Sequence, residues 1–236
     1  MREAGRITAR ALRIVGEALR VGARTRELDE VAEAAIREEG AVPAFLGYQG
    51  FPASICSSLN EQVVHGIPGD VKLHDGDIIS IDIGAIIDGY YGDSARTFGI
   101  GRVSDEAIRL MQVTEESLEA GIEQCVPGHR LYDISHAVQT VAEAAGFSVV
   151  REYVGHGIGR AMHEEPQIPN YGPAGKGPEL KEGMVFAIEP MINAGGATVQ
   201  SLPDGWTVVT ADGSLSAHFE HTVAVTASGP LVLTKE

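Results

Sequence analysis

Apolar residues at spacings of three and four mark four helices in this chain. Ala4, Ile7, Ala11, Ile14, Val15 and Ala18 predict that it opens in a helix. Thr25 stands where a second helix would be capped, with Leu28, Val31 and Ala35 as its stripe and Gly40 as its stop. Ser104 caps a third, with Ile108, Met111, Leu118 and Ile122 inside, and Val126-Pro127-Gly128 breaks it. A fourth carries Ile134, Val138, Val141 and Ala145 and stops at Gly146. After each helix pair the pattern turns strand-like. A short strand is expected near Glu61–His65, then a hairpin; later, REYVGHGIGR, GMVFAIEPMI, GWTVVTA, SAHFEHTVAVTA and LVLT read as strands. Two helices followed by strands thus recur about a hundred residues apart, and RELDEVAEAAIREEG faintly resembles RLYDISHAVQTVAEAAG, so two similar α/β halves are expected. No linker divides them, and residues 1–236 are expected to form one domain.

The hairpin IISIDIGAIIDGYYGDSARTFGIG is the most specific local prediction. Asp88-Gly89 is the favoured pair for a two-residue type I′ turn, which sets Ile87 against Tyr90, Asp82 against Ala95 and Gly84 against Asp93. Asp82 and Asp93 then share a face, diagonally placed at roughly 7 Å, while Ile79, Ile81 and Ile83 point to the other. Carboxylates so placed repel unless a cation lies between them; a pair of divalent ions ~3.5–4 Å apart would suit. Taken alone, the pair also fits two solvated groups on an open sheet face, and a bulge would break the parity.

Three further residues carry the same implication. His156 lies between glycines in YVGHGIGR, where the backbone can pass close to a site. Glu189 lies in the apolar run MVFAIEPMI and Glu220 in SAHFEHTVAVT, where a buried carboxylate is costly unless paired or bound to metal. Each has an ordinary account by itself. Together, four carboxylates and one imidazole suit Mn, Fe, Co or Zn better than a thiolate site would. His65, before Gly66-Ile67-Pro68, and His163, at the start of HEEP, are further candidates, whereas His74, His129, His136, His218 and His221 are assigned no role.

Composition narrows the class. A net charge of −15 argues against binding a phosphate backbone. Two cysteines, Cys56 and Cys125, make no disulfide framework, which fits a reducing cytoplasm. No apolar run approaches a membrane span, and the arginine-dotted N-terminus is unlike a signal peptide.

The series NEQVVHGIP, IDIGAIIDGYYGDSART, YVGHGIGRAMHEEP, MVFAIEPMI and DGWTVVTADGSLSAHFEHTVAVT resembles the type I, bacterial methionine aminopeptidase family of the pita-bread metallopeptidase superfamily, through nearly the whole chain. The resemblance implies an α+β pita-bread fold: pseudo-two-fold α/β halves, a curved antiparallel sheet carrying the metal site and helices outside. It implies two divalent ions, with Asp82 on the first, Asp93 and Glu220 bridging, and His156 and Glu189 completing the second. Glu189 would also move the proton of the attacking water. His163 would hydrogen-bond the scissile amide or its tetrahedral intermediate, and His65 the substrate backbone and leaving nitrogen. The methionine pocket would comprise Phe45, Tyr48, Phe51, Cys56, Met162 and Trp206.

The substrates implied are nascent polypeptide N-termini, cleaved by a monomer. Relatives on the same scaffold that cleave before proline, or bind peptides without catalysis, are the alternatives; the short length and the pocket residues favour methionine over the first, and the complete ligand set with His65 and His163 argues against the second. The chain departs from the family in three ways. Several family members carry other aromatics at the positions of Phe51 and Met162, of which Met162 is the softer and more flexible choice. Family members carry residues ahead of the position matching Met1. The basic loop through which relatives dock at the ribosome is absent: no Lys or Arg occurs from Glu182 to Thr234, so such docking is expected to be weak.

Overall fold

The computed structural model describes residues 1–235. Its helices among these are α1 (Arg2–Ala18), α2 (Thr25–Glu38), α3 (Asp105–Glu123) and α4 (Leu131–Ala144). The amphipathic stripes place Ile7, Ala11, Leu12 and Val15 of α1, with Leu28 and Ala32 of α2, in one core with Ile79, Ile81 and Ile83 of the hairpin. A second core packs Leu110 and Leu118 of α3 and Ile134 of α4 against Phe186, Ile188, Val223 and Val225. Each half is therefore a helix pair laid on strands, as the faint repeat predicts.

The hairpin forms in the expected register. Strands Ile78–Ile87 and Tyr90–Gly99 pair Ile87 with Tyr90, Asp82 with Ala95 and Gly84 with Asp93. Asp88 and Gly89 adopt φ of 52° and 75°, the left-handed conformation that a type I′ turn requires. The first strand also pairs with Ile55–Leu59 and, near its end, with Val42–Pro43. In the second half, Gly229–Val232, His221–Thr226, Val185–Ile188, Gly155–Gly157 and Glu164–Ile168 form a five-stranded antiparallel sheet. Ser216–His218, Met191–Asn193 and Ser148–Val149 form a smaller sheet, as do Val199–Ser201, Val208–Thr210 and Gln62–Val64.

The halves are joined where the site lies. The Glu220 amide donates to the Ala95 carbonyl at 2.8 Å. The Asp93 amide donates to Thr222 Oγ1 at 3.0 Å, and that hydroxyl donates back to the Asp93 carbonyl at 2.8 Å. These bonds hold Asp93 beside Glu220 across a long stretch of sequence.

Several local expectations are corrected. Thr25 is the first residue of α2 rather than its cap. Its hydroxyl exchanges hydrogen bonds with Gly69, and the Glu27 carboxylate instead accepts from the amide of the cap residue, Arg24. Ile108 is 49% exposed, because α3 turns Leu110, Val113, Ser117 and Leu118 inward and leaves position 108 on the rim. Ser104 caps α3 as expected, accepting from the Ala107 amide. Glu189 and Glu220 are not inside strands. Val185–Ile188 ends one residue before Glu189-Pro190, where proline has no amide to continue the ladder, and the chain resumes in a different sheet at Met191. The segment SAHFEHTVAVT likewise breaks at Phe219-Glu220, switching from one sheet to another.

Candidate metal centre

All residues assigned from the sequence line one cavity of about 320 Å³, together with Gln49. At one end stand Asp82, Asp93, His156, Glu189 and Glu220. Ligand atoms of Asp93, His156 and Glu220 lie within 4.8 Å of one another, and all three residues are buried. Glu189 adjoins them, with Oε1 3.6 Å from His156 Nε2, and Asp82 stands close enough to Asp93 for its charge to raise the Asp93 carboxyl. A larger depression of about 760 Å³, between α1 and α3, contains no such cluster of buried carboxylates.

The orientation of His156 bears on what these groups can hold. Its Nδ1 lies 2.9 Å from the Gly157 carbonyl, so Nδ1 carries the proton and Nε2 presents its lone pair. That Nε2 faces Asp93 Oδ2 at 3.9 Å and Glu189 Oε1 at 3.6 Å. Lone pairs facing lone pairs, without a hydrogen between them, are an arrangement a cation resolves. The flanking glycines make this approach possible: a Cβ at Gly155 would strike the Ala187 carbonyl, and one at Gly157 the Glu165 carbonyl.

Electrostatics agrees. Burial pushes Asp82 and Glu189 up to about 7. Asp93 and Glu220 are pushed well above the usual carboxylate range by burial, reinforced by each other's environment of acids. Burial also lowers His156, against the pull of Glu189. Asp82 Oδ1, Asp93 Oδ1 and Glu220 Oε1 are buried without a hydrogen-bond partner. Four acids around one imidazole, with orphaned oxygens, fit a divalent cation bound through oxygen and nitrogen.

The two remaining histidines flank the acids. His163 Nδ1 lies 2.8 Å from the Tyr48 hydroxyl. With that O–H as donor, neutral His163 carries its proton on Nε2. Its ring centroid is 4.2 Å from that of His156. Burial lowers His163, and also His65, the latter to about 4. His65 has φ of 60°, strained for a side-chain-bearing residue, and the turn is pinned by the Gly66 amide on Ser58 Oγ at 3.1 Å. Its ring stands edge-on to Tyr153 and Trp206.

The other end of the cavity is apolar. Phe45, Phe51, Cys56 and Met162 are buried in one cluster, with Tyr48 and Trp206 partly buried against it. Phe51 and Trp206 meet edge to face at 5.0 Å. Asp204 fixes the tryptophan turn by accepting from the amides of Trp206 and Thr207, each at 2.9 Å. Burial beside the acids holds Cys56 as a neutral thiol.

Sequence reasoning missed His218, which is 1% exposed with Nε2 3.5 Å from Glu189 Oε2. It precedes Glu220 by two residues, and strand alternation would have placed the two on one face. Gln49, an exposed loop residue with φ of 49°, carried no signal.

The sequence profile described as metallopeptidase family M24 matches residues 1–227. The chain is 57% identical over 235 residues to methionine aminopeptidase 1 of Bacillus subtilis, covering 100% of this chain and 95% of that one. It superposes on the crystal structure of methionine aminopeptidase from Rickettsia prowazekii with a TM-score of 0.98 at 47% identity, covering 99% and 95% of the two chains. The prolidase of Pyrococcus furiosus is more distant: its TM-score is 0.81 at 25% identity, and this chain spans 62% of its length.

Proposed function

This chain belongs to metallopeptidase family M24, and on that premise we propose that it removes the N-terminal methionine from nascent proteins and peptides, when the second residue is small, using two divalent ions. The observation that carries this reading is the single cavity with an acid-imidazole cluster at one end and an apolar wall of Phe45, Phe51, Cys56 and Met162 at the other. Its fold is the α+β pita-bread arrangement of its relatives.

Asp82 would hold one ion, His156 and Glu189 the other, and Asp93 and Glu220 would span both. The bound metal would lower the pKa of a water and polarise the scissile carbonyl. The chain's own groups do the rest. Glu189 takes the proton from the attacking water and delivers it to the leaving nitrogen. A carboxylate whose pKa is drawn up towards neutrality is suited to both directions of transfer, which in similar sites contribute roughly 10²–10⁴-fold. His163 donates from Nε2 to the carbonyl oxygen as negative charge develops there; such a donor is worth roughly 10²–10³ in rate. His65 hydrogen-bonds the substrate backbone at the leaving nitrogen. Phe45, Phe51, Cys56, Met162 and Trp206 exclude water around the methionine thioether, which favours soft, aromatic surroundings.

The free α-amine faces the acids, which restricts cleavage to the chain terminus. The native ion is one of Co, Mn, Fe or Zn. The enzyme acts as a cytoplasmic monomer and meets nascent chains by diffusion, since the segment from Glu182 to Thr234 has no Lys or Arg to attract ribosomal RNA. The test is mass spectrometry of Met-Gly-Ser and Ala-Pro peptides with metal-stripped protein, before and after Mn²⁺ is restored. Metal-dependent loss of methionine alone is expected. Cleavage before proline, or none in folded, metal-binding protein, would overturn the reading.

A further inference from the structure

His218 has no part in the reaction outlined above, yet its imidazole is 1% exposed and Nε2 lacks a hydrogen-bond partner. The Asp82 carboxylate acts on the ring, and Glu189 Oε2 lies 3.5 Å from Nε2. The other oxygen of the same carboxylate, Oε1, faces His156 Nε2 at 3.6 Å. Two imidazoles thus divide the two oxygens of Glu189. They do so in opposite senses when Glu189 is ionised, because His156 presents a lone pair whereas a neutral Nε2 meets a carboxylate favourably as a donor.

The backbone of His218 is fixed independently of its side chain. Its amide donates to Thr97 Oγ1 and its carbonyl accepts from the same hydroxyl, each at 2.9 Å, and Thr97 is braced by Ser80 at 2.8 Å. His218 also pairs with Met191, two residues beyond Glu189. One strand pairing therefore sets both the imidazole and the chain leaving the carboxylate. Glu189 itself lies at a strand break before Pro190, with its carbonyl accepting from Asn170 Nδ2 at 3.0 Å. His218 contributes no atom to the compact ligand group of Asp93, His156 and Glu220.

We propose that His218 is a positioning residue for Glu189: its Nε2–H holds Oε2, leaving Oε1 as the oxygen that binds metal beside His156. The inference rests on Glu189 being a metal ligand. A separation of 3.5 Å is at the outer edge of a hydrogen bond. Without the donor, Glu189 can rotate or present both oxygens, and the geometry of one ion changes. Partners of this kind typically contribute 10–100-fold to metal affinity.

The experiment is isothermal titration of Mn²⁺ into metal-stripped wild-type protein, His218→Gln and His218→Leu, with thermal melts to verify folding. Glutamine keeps an N–H donor and should bind within about threefold of wild type, whereas leucine should lose about 10–100-fold. Nitrogen NMR of histidine-labelled, zinc-loaded wild type supplies a measurement that needs no variant: His218 Nε2 should be protonated and uncoordinated. Wild-type affinity in His218→Leu, or an unprotonated or metal-bound Nε2, would overturn the inference alone. Wild-type protein that binds no Mn²⁺ would overturn the site assignment and the inference with it.

Discussion

Replacing Asp93 with asparagine should stabilise the metal-free protein while weakening its hold on metal. Asp93 is 4% exposed, its Oδ1 has no partner, and burial with the charges of Asp82 and Glu189 holds its pKa well above the usual range. Its ligand atom lies within 4.8 Å of that of Glu220. Two unit charges at that separation repel by about 3.5 kcal/mol at an effective dielectric near 20. Shared protons already relieve part of this in the metal-free state. The neutral, isosteric amide should therefore gain about 1–3 kcal/mol, which raises Tm by about 2–12 °C in a chain of this size. Asparagine keeps the size of the side chain and one carbonyl oxygen, so the acceptor at this position is retained. With metal the sign reverses. Ion at a hundred times its Kd stabilises wild type by about 2.7 kcal/mol, most of which the variant should lose. Differential scanning calorimetry in chelator, then with increasing Mn²⁺, measures both effects. A variant less stable than wild type in chelator would refute the repulsion argument. A Mn²⁺-induced rise in Tm equal to that of wild type would refute Asp93 as a ligand.

Lowering the pH should weaken metal binding. Asp82 and Glu189 have pKa values raised to about 7, so protons compete for both below neutrality. Apparent Mn²⁺ affinity should fall by roughly tenfold or more from pH 7.5 to 5.5, with proton release on binding; titration in two buffers of different ionisation enthalpy measures this, and a flat affinity would refute it. Tyr48→Phe keeps the ring against the pocket but removes the hydroxyl 2.8 Å from His163 Nδ1. It should lower kcat by about tenfold with KM for a methionyl peptide nearly unchanged, whereas a rise in KM alone would confine Tyr48 to the pocket wall. Met162→Ala opens the wall behind a residue only 3% exposed. It should cost about 2–5 kcal/mol of stability by melting, with KM raised for methionyl substrates; neither change would place Met162 outside the pocket. Asp29 Oδ1 accepts from the amides of Ser54 and Ile55, at 2.8 and 3.1 Å, next to Cys56. Asp29→Ala orphans both and should cost about 1–3 kcal/mol in denaturant unfolding, while Asp29→Asn, which keeps an acceptor, should cost less.

Local pattern was sufficient for the hairpin. Asp88-Gly89 dictates the turn, the turn dictates the register, and a period of two puts Asp82 and Asp93 on one face. The helix pairs were legible too, because an apolar stripe at helical spacing can be satisfied only by a core on that side. The residues that the family resemblance put forward as ligands and pocket all line one cavity. What pattern could not reach depends on partners distant in sequence. Thr25 gave up its capping role because Gly69 competes for its hydroxyl. Ile108 stayed at the surface because the contact face of α3 is set by what it packs against. Glu189 and Glu220 sit at breaks between sheets, and His218 entered the site only because Thr97 and Met191 hold its strand there. Hydrophobic periodicity and turn chemistry act over a few residues, so sequence alone determines them. The meeting of Asp93 with Glu220 depends on hydrogen bonds between segments far apart in the chain, and only the assembled tertiary structure decides those.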